Sequence, residues 1–434
     1  MSIDKEKLLN SKNFCMAPWV TSHSFPSGEV FPCCTWNIGN VDDVGDLKKN
    51  SLEEIWNNKP YRDLRVDMLN NIPNQGCNRC YVVDKVNGDS YRNKMNRDYH
   101  QHFKYVENTT PDGHANDFNL HMWDFRISNI CNFKCRSCSE GLSSSWHKDA
   151  IALGISNSET AYISTEDHTD LIETLEPHFE YVEEIYFAGG EPLLMKEHYQ
   201  ILQKLIDTGK TDVLIRYSTN FSILKYKDKH IFDYWKHFPN LELYISVDGI
   251  GEVGEYVRTG LKSQIFYNNV RNFLKSGLRY KQLQFVCTVG TLNLLHLTDM
   301  VTQFIENGML NPNSSSINQH LNFNPVQDPK EYCIAYLPIE IKQKFQKQIK
   351  DFIPKLVQLN YNSSFIDLIQ TRLEDVLKFT QTSDFSSEHM NQLKKVTLQL
   401  DEIRSENFQN TIKHINSVEE LTSTAEIKKT LKLI

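Results

Sequence analysis

The stretch Ile127-Ser128-Asn129-Ile130-Cys131-Asn132-Phe133-Lys134-Cys135-Arg136-Ser137-Cys138 contains three cysteines with the spacing C-x3-C-x2-C. Three thiolates this close in sequence can converge on one inorganic centre. A [4Fe–4S] cube is usually held by four cysteines, so three local ligands leave one iron with an open position. An open metal position is a place where chemistry can occur. The alternative is a zinc site, which prefers four closed ligands and usually joins one C-x2-C pair to a second pair.

The composition indicates a globular protein. The chain has 434 residues, of which 40% are hydrophobic and 24% charged, and this length allows about two or three domains. The formal net charge of -8 gives no footprint for non-specific nucleic-acid binding. The sequence shows neither an apolar run of membrane-spanning length nor an apolar signal core at its start. We therefore expect a cytoplasmic protein that does not interact with membranes.

A second cysteine group precedes the triplet. It comprises Cys15, Cys33, Cys34, Cys77 and Cys80. Between its members the sequence predicts a hairpin at Pro26-Ser27-Gly28 and a helix that begins with the capping-box pattern Ser51-Leu52-Glu53-Glu54. A hairpin, a helix and a C-x2-C knuckle can gather four thiolates, which suits an iron–sulfur cluster or structural zinc. Cys287 and Cys333 are expected to be ordinary buried thiols.

Strand and helix patterns alternate after this region, which predicts a parallel sheet. The six predicted strands cover residues 118–127, 184–188, 213–218, 241–247, 283–289 and 320–324. Chemistry in such folds takes place at the C-terminal ends of the strands. The polar residues 93–118 predict a linker. Helical periodicity predicts helices over residues 339–359, 365–379 and 390–408.

Candidate ligand-binding residues follow the predicted strands. Gly189-Gly190-Glu191-Pro192 follows the second strand; its glycines let the backbone approach a ligand, although they could also form a simple turn. Ser218-Thr219-Asn220 follows the third strand and offers short polar groups that suit a ribose or a carboxylate. Ser246-Val247-Asp248-Gly249 follows the fourth, and either stretch could instead be a helix N-cap. Arg258 could pair with a ligand carboxylate or lie on the surface.

The triplet and the glycine turn after the next strand resemble the radical S-adenosylmethionine (SAM) enzymes. This resemblance implies an α/β fold with a partial (β/α)6 TIM-like barrel. It implies a catalytic [4Fe–4S] cluster on Cys131, Cys135 and Cys138, with SAM chelating the open iron through its amino and carboxylate groups. An electron from the reduced cluster then cleaves SAM to a 5′-deoxyadenosyl radical, and a flavodoxin or ferredoxin is the expected electron donor.

The resemblance also implies contacts to SAM. In the family the glycine motif, here Gly189, Gly190 and Glu191, holds the amino group of SAM. The other residues expected to line the SAM pocket are Ser218, Asn220, Ser246, Asp248 and, at the carboxylate, Arg258. Many members carry an aromatic residue just before the last cysteine of the triplet, near the adenine. Here that position is Ser137, and Phe133 is the nearest aromatic.

The N-terminal cysteine group resembles the auxiliary-cluster domains of the same enzymes, of the shortened SPASM type called twitch. The domain follows the barrel in the relatives considered, whereas here it precedes it. The resemblance implies that Cys15, Cys33, Cys77 and Cys80 hold a second [4Fe–4S] cluster and that Cys34 is left over. Successive strand side chains point to opposite faces, so Cys33 and Cys34 cannot easily face one metal. Four protein ligands leave no open iron, which indicates electron transfer or support.

We therefore predict three regions: an auxiliary-cluster domain with a linker over residues 1–115, a partial barrel over 116–335, and a helical region over 336–434. The predicted function is that of an oxidoreductase-type radical SAM enzyme acting on a peptide or protein, with the auxiliary cluster assisting electron transfer. The first alternative is dehydrogenation of a sugar or other small molecule by the same chemistry. The second is a non-catalytic, metal-stabilised binding module.

Overall fold

The structure is a computed structural model, and it describes residues 4–37, 44–85, 88–313 and 319–412. The strands in these ranges are β1 Thr21–Ser24, β2 Glu29–Phe31, β3 Gly45–Asp46, β4 Met122–Phe125, β5 Lys134–Cys135, β6 Glu184–Phe187, β7 Leu214–Thr219, β8 Lys225–Tyr226, β9 Lys229–His230, β10 Leu241–Ser246, β11 Arg258–Thr259, β12 Gln282–Val289 and β13 Gln319–Pro325.

The helices in the same ranges are α1 Lys5–Leu9, α2 Ala17–Val20, α3 Leu52–Trp56, α4 Lys59–Leu69, α5 Asn78–Lys85, α6 Tyr91–Tyr99, α7 Lys104–Glu107, α8 His147–Ala152, α9 Leu171–Leu175, α10 Lys196–Asp207, α11 Ile231–Trp235, α12 Gly251–Val257, α13 Ser263–Lys275, α14 Leu297–Glu306, α15 Ile339–Gln358, α16 Ser363–Thr380, α17 Ser387–Arg404 and α18 Phe408–Thr411. Several of them are joined by short 3₁₀ turns.

The chain divides into two compact units. The first comprises Met1–Ile130, Tyr162–Tyr217 and Asp233–Leu241, and the second Cys131–Ala161, Ser218–Phe232 and Glu242–Ile434. In the first unit β4, β6 and β7 are parallel neighbours. In the second unit β10, β12 and β13 are parallel neighbours. The fold class is therefore α/β with largely parallel strands, in agreement with a partial TIM-like barrel.

These six parallel strands correspond to the six predicted from the sequence. In β10 and β12, buried and half-exposed residues alternate, and Leu243, Ile245, Leu283 and Phe285 have no exposed surface. Cys287 belongs to the same buried row of β12. Cys333 is also buried, so both cysteines are packed thiols as predicted.

The predicted N-terminal hairpin is confirmed, but it has a second role that the sequence did not indicate. β1 and β2 are antiparallel, and Gly28 in the turn between them has a φ of +101°. β1 also pairs in parallel with β4, with Thr21 opposite Met122. The hairpin therefore extends the parallel strands of the first unit. Pairing between strands this far apart in the chain has no local sequence signal.

The linker prediction is wrong for the first half of its range. Residues 93–107 lie largely in α6 and α7, and the Ser90 hydroxyl caps α6 by accepting from the Asn93 N–H at 3.3 Å. Met95 and Tyr99 lie one turn apart and are buried. The buried face of α6 also carries the polar residues Arg92 and Asn96, so its apolar positions alone form only a weak helical pattern. Residues 108–118 form an irregular loop, as predicted.

The predicted helices after residue 336 are confirmed over α15, α16 and α17, while residues 413–434 of the predicted helical region lie outside the described residues. None of the helices in the described part of the chain is both long enough and apolar enough to span a bilayer.

Candidate metal and cofactor sites

The central cysteine loop is held in place by the residues that follow it. The Cys131 backbone N–H donates to the Ser144 hydroxyl at 3.3 Å, and the Ser145 hydroxyl donates to the Cys131 carbonyl at 2.7 Å. The Trp146 indole donates to the Cys135 carbonyl at 2.8 Å. These bonds fix the loop backbone through its own polar groups, while the residues of the triplet remain half-exposed.

The thiols of the triplet share a cationic neighbour. Burial raises the pKa of the Cys135 thiol to about 12, and the Arg258 guanidinium acts in the opposite direction. Burial also raises the pKa of Cys138, again opposed by Arg258. The Phe133 N–H donates to the Cys131 sulfur at 3.4 Å. Because thiols lose their protons on binding a metal and a nearby cation and N–H donors favour the thiolate, this loop fits a metal held by thiolates.

Arg258 reaches the cysteine loop through strand pairing. β11 pairs with β5 so that Arg258 lies opposite Cys135. The Arg258 guanidinium donates to Asp248 at 3.1 Å, and Asp248 also accepts from the Thr288 N–H at 2.8 Å. Arg258 is 9% exposed and Asp248 2%, so a surface position for Arg258 is wrong. Its Nε has no hydrogen-bond partner among the described residues, which leaves a buried cationic donor for a ligand.

Asn220 contacts the cysteine loop as well. Its carboxamide donates to Asn132 at 3.0 Å, Asn132 donates to the Ser222 hydroxyl at 2.9 Å, and that hydroxyl donates to Asn220 at 2.7 Å. This closed triangle ties the residues after β7 to the residue after Cys131. The first helix after it begins at Ile231, so the N-cap alternative is wrong for Ser218 and Asn220.

Ser218 is the last residue but one of β7 and Ser246 is the last residue of β10, and their hydroxyls lie 3.4 Å apart. α12 begins at Gly251 with Ile250 in the N-cap position. Ser246 and Asp248 are therefore not helix caps. The Asp248 carboxylate pairs with Arg258 instead, and the Ser246 hydroxyl lies beside the Ser218 hydroxyl.

The glycine turn packs against the segment that leads into Cys131. The Gly190 N–H donates to the Ser128 carbonyl at 3.2 Å, and the Glu191 N–H donates to the Ile130 carbonyl at 2.6 Å. A Cβ on Gly190 would lie 2.2 Å from the Ile130 carbonyl oxygen, and Gly189 has a φ of +121°. Both glycines are therefore required by the chain itself. The Glu191 carboxylate is buried and accepts from the Leu193 N–H at 3.2 Å.

Phe133 is buried in the second unit, with Arg258 5.9 Å above its ring. Gly260, with a φ of +113°, packs so closely that a Cβ would lie 2.8 Å from the Phe133 ring. Ser137 lines a small cavity with Thr288 and Tyr332. Phe133, the aromatic residue of the cysteine loop, therefore packs beneath Arg258 and against Gly260. Ser137 instead places its hydroxyl beside a cavity.

The N-terminal cysteine group converges on one cavity of the first unit. The predicted ligands that line it are Cys15, Cys33, Cys77 and Cys80. Burial raises the pKa of the Cys15 thiol, and charge on the other three thiols raises it further, so all four sulfurs are close together. The walls include the apolar side chains of Trp36, Leu64 and Met68. This arrangement fits a closed four-thiolate cluster.

Hydrogen bonds to the sulfurs support the same conclusion. The Ala17 N–H donates to the Cys15 sulfur at 3.4 Å. The Thr35 hydroxyl lies 3.3 Å from the Cys33 sulfur and 3.7 Å from the Cys80 sulfur. Donors of this kind stabilise thiolates and influence the potential of iron–sulfur clusters.

Cys34 lies in a different environment from Cys33. The lining of the four-thiol cavity includes Cys33 but not Cys34. Burial raises the pKa of the Cys34 thiol, the Asp124 carboxylate raises it further, and Arg126 lowers it. Cys34 therefore faces Asp124 and Arg126. The separation of the two side chains agrees with the prediction, but the strand premise behind it is wrong, because β2 ends at Phe31 and both cysteines lie in the turn that follows.

A row of polar side chains on one face of the second unit was not predicted from the sequence. Gln284 and Thr288 of β12 lie opposite His320 and Asn324 of β13, with Asn322 between the latter two. None of the five is buried, whereas Phe285, Cys287, Leu321 and Phe323 on the other face are, and the half-exposed Val286 opposite Asn322 interrupts the row in β12. Partial burial and the nearby Arg372 lower the pKa of His320 and favour its neutral form. The signal was a polar residue at alternate positions of β13.

Comparisons with solved structures return several matches of low identity and low TM-score. These include anSMEcpe with bound AdoMet, at 17% identity over 60% of this chain and 59% of that chain, with a TM-score of 0.34. SuiB of Streptococcus suis bound to S-adenosylmethionine matches at 13% identity over 63% and 57%, with a TM-score of 0.34. SuiB bound to the precursor peptide SuiA matches at 15% over 75% and 55%, with a TM-score of 0.34. The chain thus spans less than two thirds of each of these proteins, and no curated protein sequence matches it.

Two family models match the chain. SPASM, an iron–sulfur cluster-binding domain, matches residues 15–81, which contain the N-terminal cysteine group. The Radical SAM superfamily matches residues 125–305, which contain the triplet, the glycine turn and Arg258. These domains imply a [4Fe–4S] cluster, SAM and auxiliary iron–sulfur as cofactors. The chain carries a radical SAM domain and, on its N-terminal side, a SPASM iron–sulfur domain.

Proposed function

We propose that the chain is a radical SAM enzyme of the oxidoreductase type and removes a hydrogen atom from a peptide or protein substrate. When bound and reduced, the catalytic cluster supplies the electron that cleaves SAM to the hydrogen-abstracting 5′-deoxyadenosyl radical. The observation that carries the proposal is the buried Arg258–Asp248 pair, which faces the thiols of the C-x3-C-x2-C loop.

In this proposal Arg258 binds the carboxylate of SAM. A charge-assisted bond from a buried guanidinium is stronger than a neutral one, and the Arg258 Nε lacks a partner among the described residues. Asp248 orients Arg258 and offsets its charge. The Ser218 and Ser246 hydroxyls and the Asn220 carboxamide offer hydrogen bonds to a ribose, and Asn220 is already fixed through Asn132.

The glycine turn has a separate proposed role. Carbonyls around Gly189, Gly190 and Glu191 would accept from the amino group of SAM. Support comes from the backbone itself, because the Gly190 and Glu191 N–H groups are engaged with Ser128 and Ile130, which fixes the turn. Phe133 is proposed as the aromatic residue of the pocket, acting from beneath Arg258.

Cys15, Cys33, Cys77 and Cys80 are the proposed ligands of the auxiliary cluster. Once bound there, the cluster would assist electron transfer by taking up the electron that the substrate loses, together with a proton, after hydrogen-atom abstraction. The four thiols occupy one apolar cavity, and closed ligation leaves no iron for substrate, which suits electron transfer. The proposed reductant of the catalytic cluster is a flavodoxin or ferredoxin. We propose the functional division 1–115, 116–335 and 336–434 for the auxiliary, catalytic and helical regions.

The polar row on β12 and β13 supports the ranking of a peptide substrate first. Gln284 and Asn322 carry carboxamides, which donate and accept as peptide groups do. None of the five side chains is Asp, Glu, Lys or Arg, and the lowered pKa of His320 favours its neutral form, which suits an uncharged, hydrogen-bonding ligand segment.

Dehydrogenation of a sugar or other small molecule is the second candidate, because hydroxyl groups would pair with the same carboxamides. The two candidates differ in how many side chains they engage. An extended peptide would contact the row from Gln284 to Asn324, whereas a single sugar would depend on two or three of these residues.

The test is anaerobic reconstitution with iron and sulfide, followed by reduction in the presence of SAM. We expect iron in both sites and formation of 5′-deoxyadenosine, with deuterium from a labelled peptide substrate incorporated into it. Deuterium transfer from a labelled sugar alone would favour the second candidate. Zinc without iron, and no SAM cleavage, would contradict the proposal and favour a metal-stabilised binding module.

A further inference from the structure

Arg136 lies inside the C-x3-C-x2-C loop, between Cys135 and Cys138, and its side chain has no exposed surface. Its guanidinium forms ion pairs with Asp401 and, at 2.6 Å, with Glu406. It also lies 3.6 Å from the centroid of the Tyr256 ring. A fully buried charge requires partners within the protein. Its carboxylate partners come from a segment 265 and 270 residues later in the chain.

The same two carboxylates hold the segment that carries Arg258. Asp401 accepts from the Tyr256 hydroxyl at 2.8 Å, and Glu406 accepts from the Thr259 hydroxyl at 2.8 Å. Tyr256 and Thr259 lie on either side of Arg258 in the chain. Asp401 and Glu406 therefore connect the cysteine loop with the Arg258 segment.

A second set of ion pairs strengthens this contact. The Arg404 Nε lies 2.7 Å from Asp149, and the side chains of both are almost fully buried. Lys134, the residue before Cys135, lies 3.1 Å from the other oxygen of Asp149. Arg404 also donates to the Thr259 hydroxyl at 3.1 Å. The end of α17 thus contacts both neighbours of Cys135: it reaches Lys134 through Asp149, and Asp401 pairs directly with Arg136.

We infer that Asp401, Arg404 and Glu406 are positioning residues of the catalytic centre: the end of α17 and the residues after it fix the cysteine loop and Arg258 relative to each other. Without these carboxylates the charge of Arg136 would be buried and uncompensated, and the loop would have to move to hydrate it. Displacement of about 1 Å at a reacting centre can lower a rate about 100-fold.

The consequence for SAM rests on the proposed function, whereas the fixing of the loop rests on the contacts alone. A role limited to global stability predicts something different. It would lower the melting temperature without a specific effect on residues 131–149 and 251–260. Local measurements therefore separate positioning from mere stabilisation.

The test uses the full chain with both clusters reconstituted, in the double variant Asp401→Asn, Glu406→Gln. Leu373→Ala is the control, because Leu373 is a fully buried residue of α16 that lies outside this ion-pair network. Hydrogen exchange is measured on peptides that cover residues 131–149 and 251–260. Iron content, melting temperature and the Kd for SAM are measured on the same samples.

We expect exchange at least ten times faster in both segments of the double variant, with a Kd for SAM at least ten times higher. Leu373→Ala should lower the melting temperature and leave both local measurements unchanged. Wild-type exchange rates in both segments of the double variant would overturn the inference. A wild-type protein that binds no SAM would overturn the proposed function, and the exchange rates would still decide the positioning role.

Discussion

The two cysteine groups are built in opposite ways. The three cysteines of the central group lie within residues 131–138. Hydrogen bonds from Ser144, Ser145 and Trp146, which follow them closely in the chain, hold their loop in place. The auxiliary group spans residues 15–80, and its thiols meet where the segment after the hairpin, α4, α5 and the start of α6 enclose one cavity. A buried guanidinium lies beside each group. Arg258 at the central group keeps an Nε without a partner among the described residues. Arg92 in the auxiliary cavity, whose lining is otherwise largely apolar, donates to Asp84 and to the carbonyls of Ser11 and Phe14.

This difference suggests a division of labour. The open, three-thiol group has a cation and hydrogen-bond donors available for a charged ligand. The four-thiol group, if its proposed closed ligation holds, would leave no iron for a ligand. The following variants test the comparison, beginning with the largest expected effect.

The triple variant in which Cys131, Cys135 and Cys138 are all changed to Ala should contain about four fewer irons per chain, because one cube is lost. SAM cleavage should cease completely, because the proposed four-thiolate ligation of the auxiliary cluster would leave no open iron there. The auxiliary cluster should remain, since its ligands belong to a separate cavity. Iron analysis and 5′-deoxyadenosine assays measure both effects, and an unchanged iron content would refute the assignment of the triplet.

Cys33→Ala should lose about one cube of iron from the auxiliary site. Uncoupled SAM cleavage should persist while turnover of the substrate fails. Cys34→Ala is the matched control, because the neighbouring thiol faces Asp124 and not the cavity. Loss of iron in the Cys34 variant and its retention in the Cys33 variant would show that the ligand assignment is reversed.

Gly190→Ala tests how the glycine turn holds the segment that leads into Cys131. The added Cβ would meet the Ile130 carbonyl oxygen at 2.2 Å, which should cost about 1–3 kcal/mol and displace the residue before Cys131. We expect weaker SAM binding together with reduced retention of the catalytic cluster. The auxiliary cluster should be unaffected.

Gly141→Ala is the control for this variant. The added Cβ has only the Ser139 hydroxyl within 4 Å, at 3.9 Å. The free energy of unfolding of this variant should therefore change by less than about 0.5 kcal/mol. Thermal unfolding and iron content compare the two. Equal behaviour of the two variants would show that the turn tolerates a side chain.

Arg258→Lys should have the smallest of these effects. Lysine keeps the charge but loses the planar donor geometry that pairs with Asp248 and with a carboxylate. We expect both clusters to form and the Kd for SAM to rise about tenfold, equivalent to about 1.4 kcal/mol. An isothermal titration under anaerobic conditions measures it. An unchanged Kd would remove Arg258 from the SAM site.

The sequence predicted the parts whose signals are local. The triplet and the six parallel strands follow from spacing and periodicity over short windows. The capping box at Ser51 and Glu54 is present as predicted, with both reciprocal hydrogen bonds. The helices of residues 93–107 were missed, because their apolar positions are few and their polar residues dominate the composition.

By itself the sequence determined the kind of domains present, since the cysteine spacing and the glycine turn indicated a radical SAM domain and a SPASM-type cysteine group, which the family models match. Only the tertiary structure decided how the site is supported. The pairing of β1 with β4, the contact of Arg258 with Asp248 and the ion pair of Arg136 with Asp401 join distant segments. Burial makes each buried charge depend on its partner, and partners brought together by the fold leave no periodic signal in the chain.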